Sequence, residues 1–272
     1  MGEVIQLSML ETIVQEGARH YLPILTASEN QKGVLDVDTV KGCTLGMRSE
    51  PNGGCYNDCY AAKTAKRYGI DFSVSVSRKL YPWNRRTVFH AIKDFPASWY
   101  RIGTAGDPCH DWDNTLEVME AMHGTGKQAV IITKHWIPLS GGHIARLRKL
   151  DAVVNTSTSA LDTDAQTKYR LAQISRLKWF GVESVNRVVT CDFGTTEWGI
   201  ERRRKQDYLL SILPMIDNPL RTSKSDMRVL SGDINVTRID DAVGGGKFVS
   251  LHDSSVYLGT CKGCPDQCGA KK

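Results

Sequence analysis

The chain runs to 272 residues, 41% hydrophobic and 24% charged, with a formal net charge of +5. That is room for one α/β barrel or two small domains, at a composition ordinary for a soluble globular protein. The opening Met1-Gly2-Glu3-Val4-Ile5-Gln6 has no basic n-region and no apolar run long enough for a signal peptide or a membrane span, so a cytoplasmic protein is expected.

A reducing compartment turns the eight cysteines towards metal or redox chemistry and away from disulfides. Six fall in two groups, Cys43/Cys55/Cys59 and Cys261/Cys264/Cys268, while Cys109 and Cys191 stand alone. Basic runs at 63–67, 78–86, 146–149 and 202–205 read first as solvated helix faces and second as a phosphate-binding surface.

In chain order, Ile5, Met9, Leu10 and Ile13 have the spacing of a short amphipathic helix. A first strand is expected at 34–40. A glycine-bearing loop with Cys43 and Cys55 follows and runs into a helix that begins near Cys59, capped by Asn57 or Asp58. Another helix is expected at 83–93. A regular rhythm then sets in, with strands at 99–103, 129–133, 152–156, 185–190 and 227–230 and helices at 115–123, 144–150, 164–180 and 200–213. Short apolar strands separated by helical patterns predict βα units, a parallel sheet and one barrel-like α/β domain. A hairpin turning at Asp253-Ser254 is expected over 248–258, just before the tail cysteines. The chain thus divides into an N-terminal segment (1–34), the barrel (35–245) and a C-terminal hairpin with its cysteine cluster (246–272).

Active sites of parallel barrels gather at the carboxyl ends of the strands. There the sequence places Cys43, then Gly106, Asp107, Cys109, His110 and Asp111, then Lys134 and His135, then Asn155, Ser157 and Ser159, then Cys191 and Asp192, and last Asp233. Each alone reads as a helix cap or a loop residue; their succession reads as one shared site. Cys55 and Cys59 are four apart, so one helical turn sets both sulfurs on one face. Gly46, Gly53 and Gly54 let Cys43 fold back to meet them. Three thiolates suit a 4Fe–4S cluster with one iron left open. Structural zinc, with a fourth ligand from Cys109, His110 or His135, suits the same spacing. His110 beside Asp111 is a candidate acid–base pair. Cys109 is a candidate ligand, a hydrogen-atom donor or a small buried hydrophobe.

Gly42-Cys43-Thr44, Pro51, Gly54-Cys55 and Cys59-Tyr60-Ala61 together resemble the Gly-Cys-Thr…Pro-Gly-Cys…Cys-Tyr-Ala signature of radical S-adenosylmethionine (SAM) proteins common in phage genomes. The likeness continues through Gly106-Asp107-Pro108-Cys109-His110, Ile132-Thr133-Lys134-His135 and Asn155-Thr156-Ser157-Thr158-Ser159, and so covers about residues 40–195. The spacing departs from the usual three and then two residues: residues 44–54 separate Cys43 from Cys55, and 56–58 separate Cys55 from Cys59. Cys109 is therefore an alternative third ligand.

The resemblance implies a partial (β/α)6 TIM-type barrel whose cluster binds SAM. One-electron reduction, from a donor such as flavodoxin or ferredoxin, would cleave SAM to a 5′-deoxyadenosyl radical that abstracts a substrate hydrogen. It implies that the turn of Ala105, Gly106 and Asp107 receives the methionine amine. Lys134, Asn155 and Ser157 are candidates for the carboxylate and the ribose hydroxyls, and Arg187 and Asp192 for SAM or substrate. Tyr60 is placed beside the cluster or in an ordinary helix core.

Phage members of this kind include isomerases that rearrange an amino-acid-substituted thymidine in hypermodified DNA, so DNA or a modified nucleoside is the expected substrate. The basic runs fit a polyanion, and Trp83, Trp136 and Trp198 are candidates to stack a base, or core and rim residues. Cys261, Cys264 and Cys268, with Pro265 between them, are read as a second 4Fe–4S site, or zinc. The alternatives are a zinc-containing nucleic-acid-binding protein without catalysis, and a radical SAM enzyme acting on a peptide or small molecule.

Overall fold

Runs of β-branched and aliphatic residues pair side by side into a mostly parallel sheet, and the helices between them bury one of its faces. The computed structural model describes residues 12–15, 18–30, 32–48, 59–190, 192–193, 195–219, 221–222, 229–230, 234–235, 237–238, 247–251, 254–258 and 261–271. A hairpin of β1 (Thr12–Gln15) and β2 (Ala18–Tyr21) precedes β3 (Ser28–Glu29), β4 (Leu35–Asp36) and β5 (Val40–Lys41). Next come α1 (Thr44–Met47), α2 (Tyr60–Arg67) and β6 (Val76–Ser77), which pairs antiparallel with β5. The βα succession is α3 (Pro82–Lys93), β7 (Trp99–Ile102), α4 (Trp112–Met122), β8 (Gln128–Thr133), α5 (Gly141–Lys149), β9 (Val153–Ser159), α6 (Asp164–Trp179) and β10 (Glu183–Thr190). It closes with β11 (Asp192–Phe193), α7 (Glu197–Leu210) and β12 (Met215–Pro219).

The seven-stranded sheet has the order β12-β10-β9-β8-β7-β4-β3, all parallel except the edge strand β3. From β4 to β12 each new parallel strand is added on the same side, with no reversal of the kind that marks a doubly wound sheet. Among the described residues the sheet stays open, with β3 and β12 as its edges, and no closed barrel forms.

Alternation along the strands sends neighbouring side chains to opposite faces. Tyr100, Ile102, Ala129, Ile131 and Val154 pack with Val88 and Ile92 of α3, Leu116 and Met119 of α4, Ile144 and Leu147 of α5 and Leu177 of α6. Each fully buried aliphatic side chain here contributes about 1.5–3 kcal/mol. The other face carries Trp99, Val130, Val153, Val185 and Ile216, and the C-terminal tail lies on it through Ala270, Cys261 and Cys268. With both faces covered, all of β9 is buried. No helix among the described residues is long and apolar enough to cross a membrane.

Several expectations shift. The sixth parallel strand is β12 and not 227–230, because Val229–Leu230 pairs antiparallel with Ile234–Asn235 in a separate small sheet. Its sequence hid it: Met215 and Ile216 are its only apolar residues, and its last residue, Pro219, is tolerated because the strand is an edge. The first strand splits, with β4 in the main sheet and β5 in the pair with β6. Asn155, Ser157 and Ser159 lie inside β9 and not after it, since the pairing with β10 continues to Ser159. The helix expected around Ile5, Met9 and Leu10 lies outside the described residues, and Ile13 is in β1. The hairpin appears as Lys247–Leu251 against Ser254–Leu258, its turn at Asp253 outside the described residues.

The backbones at Gly42 and Gly106 form a parallel bridge that ties the loop after β5 to the loop after β7. A Cβ on Gly106 would stand 2.4 Å from the Val40 carbonyl oxygen. Gly106→Ala should therefore lower stability by about 2 kcal/mol in urea titration. Gly124→Ala, where the nearest atom is 3.7 Å away, should change it by less than about 0.5 kcal/mol.

Candidate functional site

Two buried carboxylates build the carboxyl edge of the sheet. Asp38, just beyond β4, accepts the N–H groups of Gly103 (3.0 Å), Thr104 (2.7 Å) and Ala105 (3.0 Å). Burial, and then the neighbouring charge of Asp36, push its pKa up, while the Thr104 and Ala105 amides pull it back. Asp107 fastens backbone and hydroxyl donors in like manner one strand further on. It accepts from Cys109 N–H (3.1 Å), the Thr133 hydroxyl (2.6 Å) and Lys134 N–H (2.8 Å), so it fastens the loop after β7 to the end of β8.

Past β8 the chain turns through His135, whose φ of 52° is in the left-handed region. Its ring is fully buried, bonded through Nε2 to the Thr156 hydroxyl (2.9 Å) and set against Trp112. Burial lowers its pKa to about 4. Beside it lies a buried ionic group: Asp162 Oδ1 is 2.5 Å from Arg170 Nη1 and 3.6 Å from Lys134 Nζ, and Arg170 Nε donates to the Lys134 carbonyl (3.0 Å). The Arg170 guanidinium stacks 4.8 Å from the centre of the Trp136 ring.

Trp136 leads to the cysteine loop. Cys43 and Cys59 share an apolar cluster with Tyr21, Ala61, Ala65 and Phe72, against which Trp136 packs. Cys43 is 7% exposed, and its N–H bonds the Phe72 carbonyl (2.9 Å). A Cβ on Gly46 would stand 2.5 Å from Cys43 Sγ, so this glycine keeps clear the space beside the sulfur. Cys55, with Pro51, Gly53, Gly54, Asn57 and Asp58, lies outside the described residues. Tyr60, next to Cys59, is exposed and donates its hydroxyl to the Thr104 carbonyl, so it belongs to this edge and not to a helix core.

The other expected residues are distributed as follows. Cys109 is 1% exposed in the helix-facing core, beside Asp107 and within electrostatic reach of Cys43; burial pushes its thiol pKa well up. Asp111 caps α4 through Asn114 N–H (3.0 Å) and binds Ser77 (2.6 Å) and Lys79 (3.2 Å). Burial would raise its pKa, but these bonds outweigh it and hold the group low. His110 is half-buried, and burial lowers its pKa. Ser157 and Arg187 are cross-strand partners. Cys191, Asp233 and the side chain of Asp192 lie outside the description.

Asn155 and Arg187 meet the C-terminal tail. Asn155 Nδ2 donates to the Cys268 carbonyl (2.8 Å), while Arg187 Nη1 is 3.6 Å from Cys268 Sγ and Nη2 bonds Asn218 (2.8 Å). Arg101, paired to Asp36 (2.9 Å), lies within electrostatic reach of Cys261 and Cys268. Cys264 accepts the N–H groups of Asp266 and Gln267. Gln267, Cys268 and Gly269 are three successive left-handed residues. Among the described residues, no three His, Cys, Asp or Glu side chains are gathered as a metal site.

Residue-by-residue reading passed over Asp36, Asp38, Arg101, Asp162 and Arg170. Asp36 and Asp38 sit two apart in the expected first strand, where one charge would read as an edge. Asp162 stands just before Thr163, the N-cap of α6, where a carboxylate signals only a helix start. Many residues of the basic runs are held internally: Arg146 by Glu120, Lys205 by Asp164, Arg202 by the Ala160 carbonyl and Arg203 by the Phe193 carbonyl. Trp83 is exposed and stacks on Tyr81, with Arg85 and Arg86 also exposed on α3.

A histidine held neutral in the fold but free to protonate when unfolded makes the unfolded state the better proton binder. Stability from His135 is thus present above its unfolded pKa of 6.5 and lost as pH falls towards about 4. This loss should be on the order of 3 kcal/mol. Urea titrations across that range should show a shallower pH dependence for His135→Asn than for the unaltered chain.

Comparison with protein-family models, with curated proteins and with solved structures found no match to this chain.

Proposed function

We propose that the chain is a radical SAM enzyme with a 4Fe–4S cluster held by Cys43, Cys55 and Cys59. The observation that carries this reading is the convergence of Cys43, Cys59, Asp107 and Lys134 at the carboxyl edge of a parallel sheet whose strands are added in one direction. Ligands of parallel α/β sheets bind at that edge. The strand order is compatible with a partial barrel. The space that Gly46 leaves beside Cys43 Sγ, and the apolar side chains around it, suit a dry cluster site.

When bound, cluster and SAM supply one-electron cleavage of the sulfonium and hydrogen-atom abstraction. The protein's own residues bind, orient and exclude water. Lys134 and Ser157 are assigned to the SAM carboxylate and ribose hydroxyls. Asn155 gives one Nδ2 hydrogen to the Cys268 carbonyl and has its Oδ1 buried without a partner, so that oxygen is left to accept from a ribose hydroxyl. Asp107 acts indirectly, by fixing the Gly106 turn assigned to the methionine amine.

The C-terminal cysteines are assigned a second 4Fe–4S cluster in preference to zinc. Burial pushes the Cys261 and Cys264 thiols up, offset in part by Arg101 near Cys261 and by the Asp266 and Gln267 amides on Cys264, while Arg187 Nη1 lies 3.6 Å from Cys268 Sγ. The substrate class is assigned as a nucleobase, an amino-acid-substituted thymidine in phage DNA. The support is the +5 net charge and the exposed Trp83, stacked on Tyr81, with Arg85 and Arg86.

Anaerobically purified protein should carry about eight irons and as many sulfides per chain, or about four if the tail holds none. With a strong reductant it should convert SAM to 5′-deoxyadenosine, and Cys43→Ala should abolish this. A colourless protein with zinc and no sulfide would sink the enzyme reading in favour of a zinc protein that binds nucleic acid. If modified duplex DNA neither changes mass nor stimulates 5′-deoxyadenosine formation, the substrate assignment falls alone.

A further inference from the structure

The indole N–H of Trp136 is buried and has no hydrogen-bond partner. A buried donor left unmade costs about 1–3 kcal/mol, so such a group in a folded protein calls for an acceptor. Indole can only donate. What lies near is Gly46, where an added Cβ would stand 3.4 Å from Trp136 Nε1 and 2.5 Å from Cys43 Sγ. The N–H and the sulfur thus border the same small space, on either side of a residue without a side chain.

The indole is held in this position from behind. Arg170, 1% exposed, stacks on its ring and is itself fixed by Asp162 and the Lys134 carbonyl. The left-handed turn at His135, buried and bonded to Thr156, sets where Trp136 leaves β8. Such backbone conformations in a residue other than glycine carry strain and persist where the surroundings enforce them.

We infer that Trp136 Nε1–H donates a hydrogen bond to a sulfur, sulfide or thiolate, of the cluster at Cys43, Cys55 and Cys59. This rests on the cluster reading and extends it to a fourth protein group that touches the cofactor without ligating it. A donor on a cluster sulfur stabilises the reduced, more negative state and so raises the reduction potential. Trp136 is therefore a residue that sets the potential at which this cluster accepts its electron.

The test is a redox titration of the reconstituted protein against Trp136→Phe, which keeps the aromatic face for Arg170 and removes only the donor. The midpoint potential of the cluster should shift to more negative values at unchanged iron and sulfide content. An unchanged potential in a fully loaded variant would overturn the inference and leave the cluster reading intact. Absence of iron and sulfide from the unaltered protein would overturn both. Should the variant lose its cluster, the unaltered protein labelled with 15N-indole decides: pulsed paramagnetic resonance of the reduced cluster should show coupling to one indole nitrogen, lost in Trp136→His. No such coupling would overturn the inference.

Discussion

Parallel strands do not share hairpin turns, so the loops at their carboxyl ends need some other means of being held against one another. Here buried carboxylates do it. Asp38 takes three successive backbone N–H groups after β7, and Asp107 takes a backbone N–H and a hydroxyl at the end of β8 together with the first amide of its own loop's helical turn. Hydrogen bonds to a charged acceptor are worth more than neutral ones, and these close the backbone donors that a buried loop would otherwise leave unmet. The glycine bridge between positions 42 and 106 then attaches the cysteine loop to this frame. What surrounds Cys43 is fixed through that frame.

A second consequence concerns the C-terminal tail. It docks on the face of the sheet opposite the helices, against Val153 and Val185, and it occupies side chains that sequence reading assigned to a small-molecule ligand. Arg101 stands between Asp36, Tyr60 and the tail sulfurs. Lys271, reaching Asp151 and Gln128, fastens the end of the tail.

The legible parts of the fold were those where period and composition agree. β8 carries the β-branched run Val130 to Thr133 and β10 ends in Val188, Val189 and Thr190, and α6 begins at the capping box of Thr163 and Gln166. β12 was illegible because an edge strand needs few apolar residues. Asn155 and Ser157 looked like loop residues because their polarity conflicts with a buried strand; their backbones are paired in the sheet, and Asn155 Nδ2 is met by the Cys268 carbonyl of the tail. In the site, the cysteines and Asp107 were visible as residue types. Arg170, Asp162 and the orphaned indole of Trp136 depend on contacts between α6 and the loops after β8 and β9 that no local pattern encodes.

The central claim is that the edge built by Asp38 and Asp107 presents a cluster with an iron open to SAM. Electron paramagnetic resonance of the reduced protein, with and without SAM, addresses it most directly. The account requires a signal of a reduced 4Fe–4S cluster whose shape changes when SAM is added, because the ligand coordinates the open iron. A reduced cluster signal that SAM leaves unaltered, or no cluster signal at all, would contradict it.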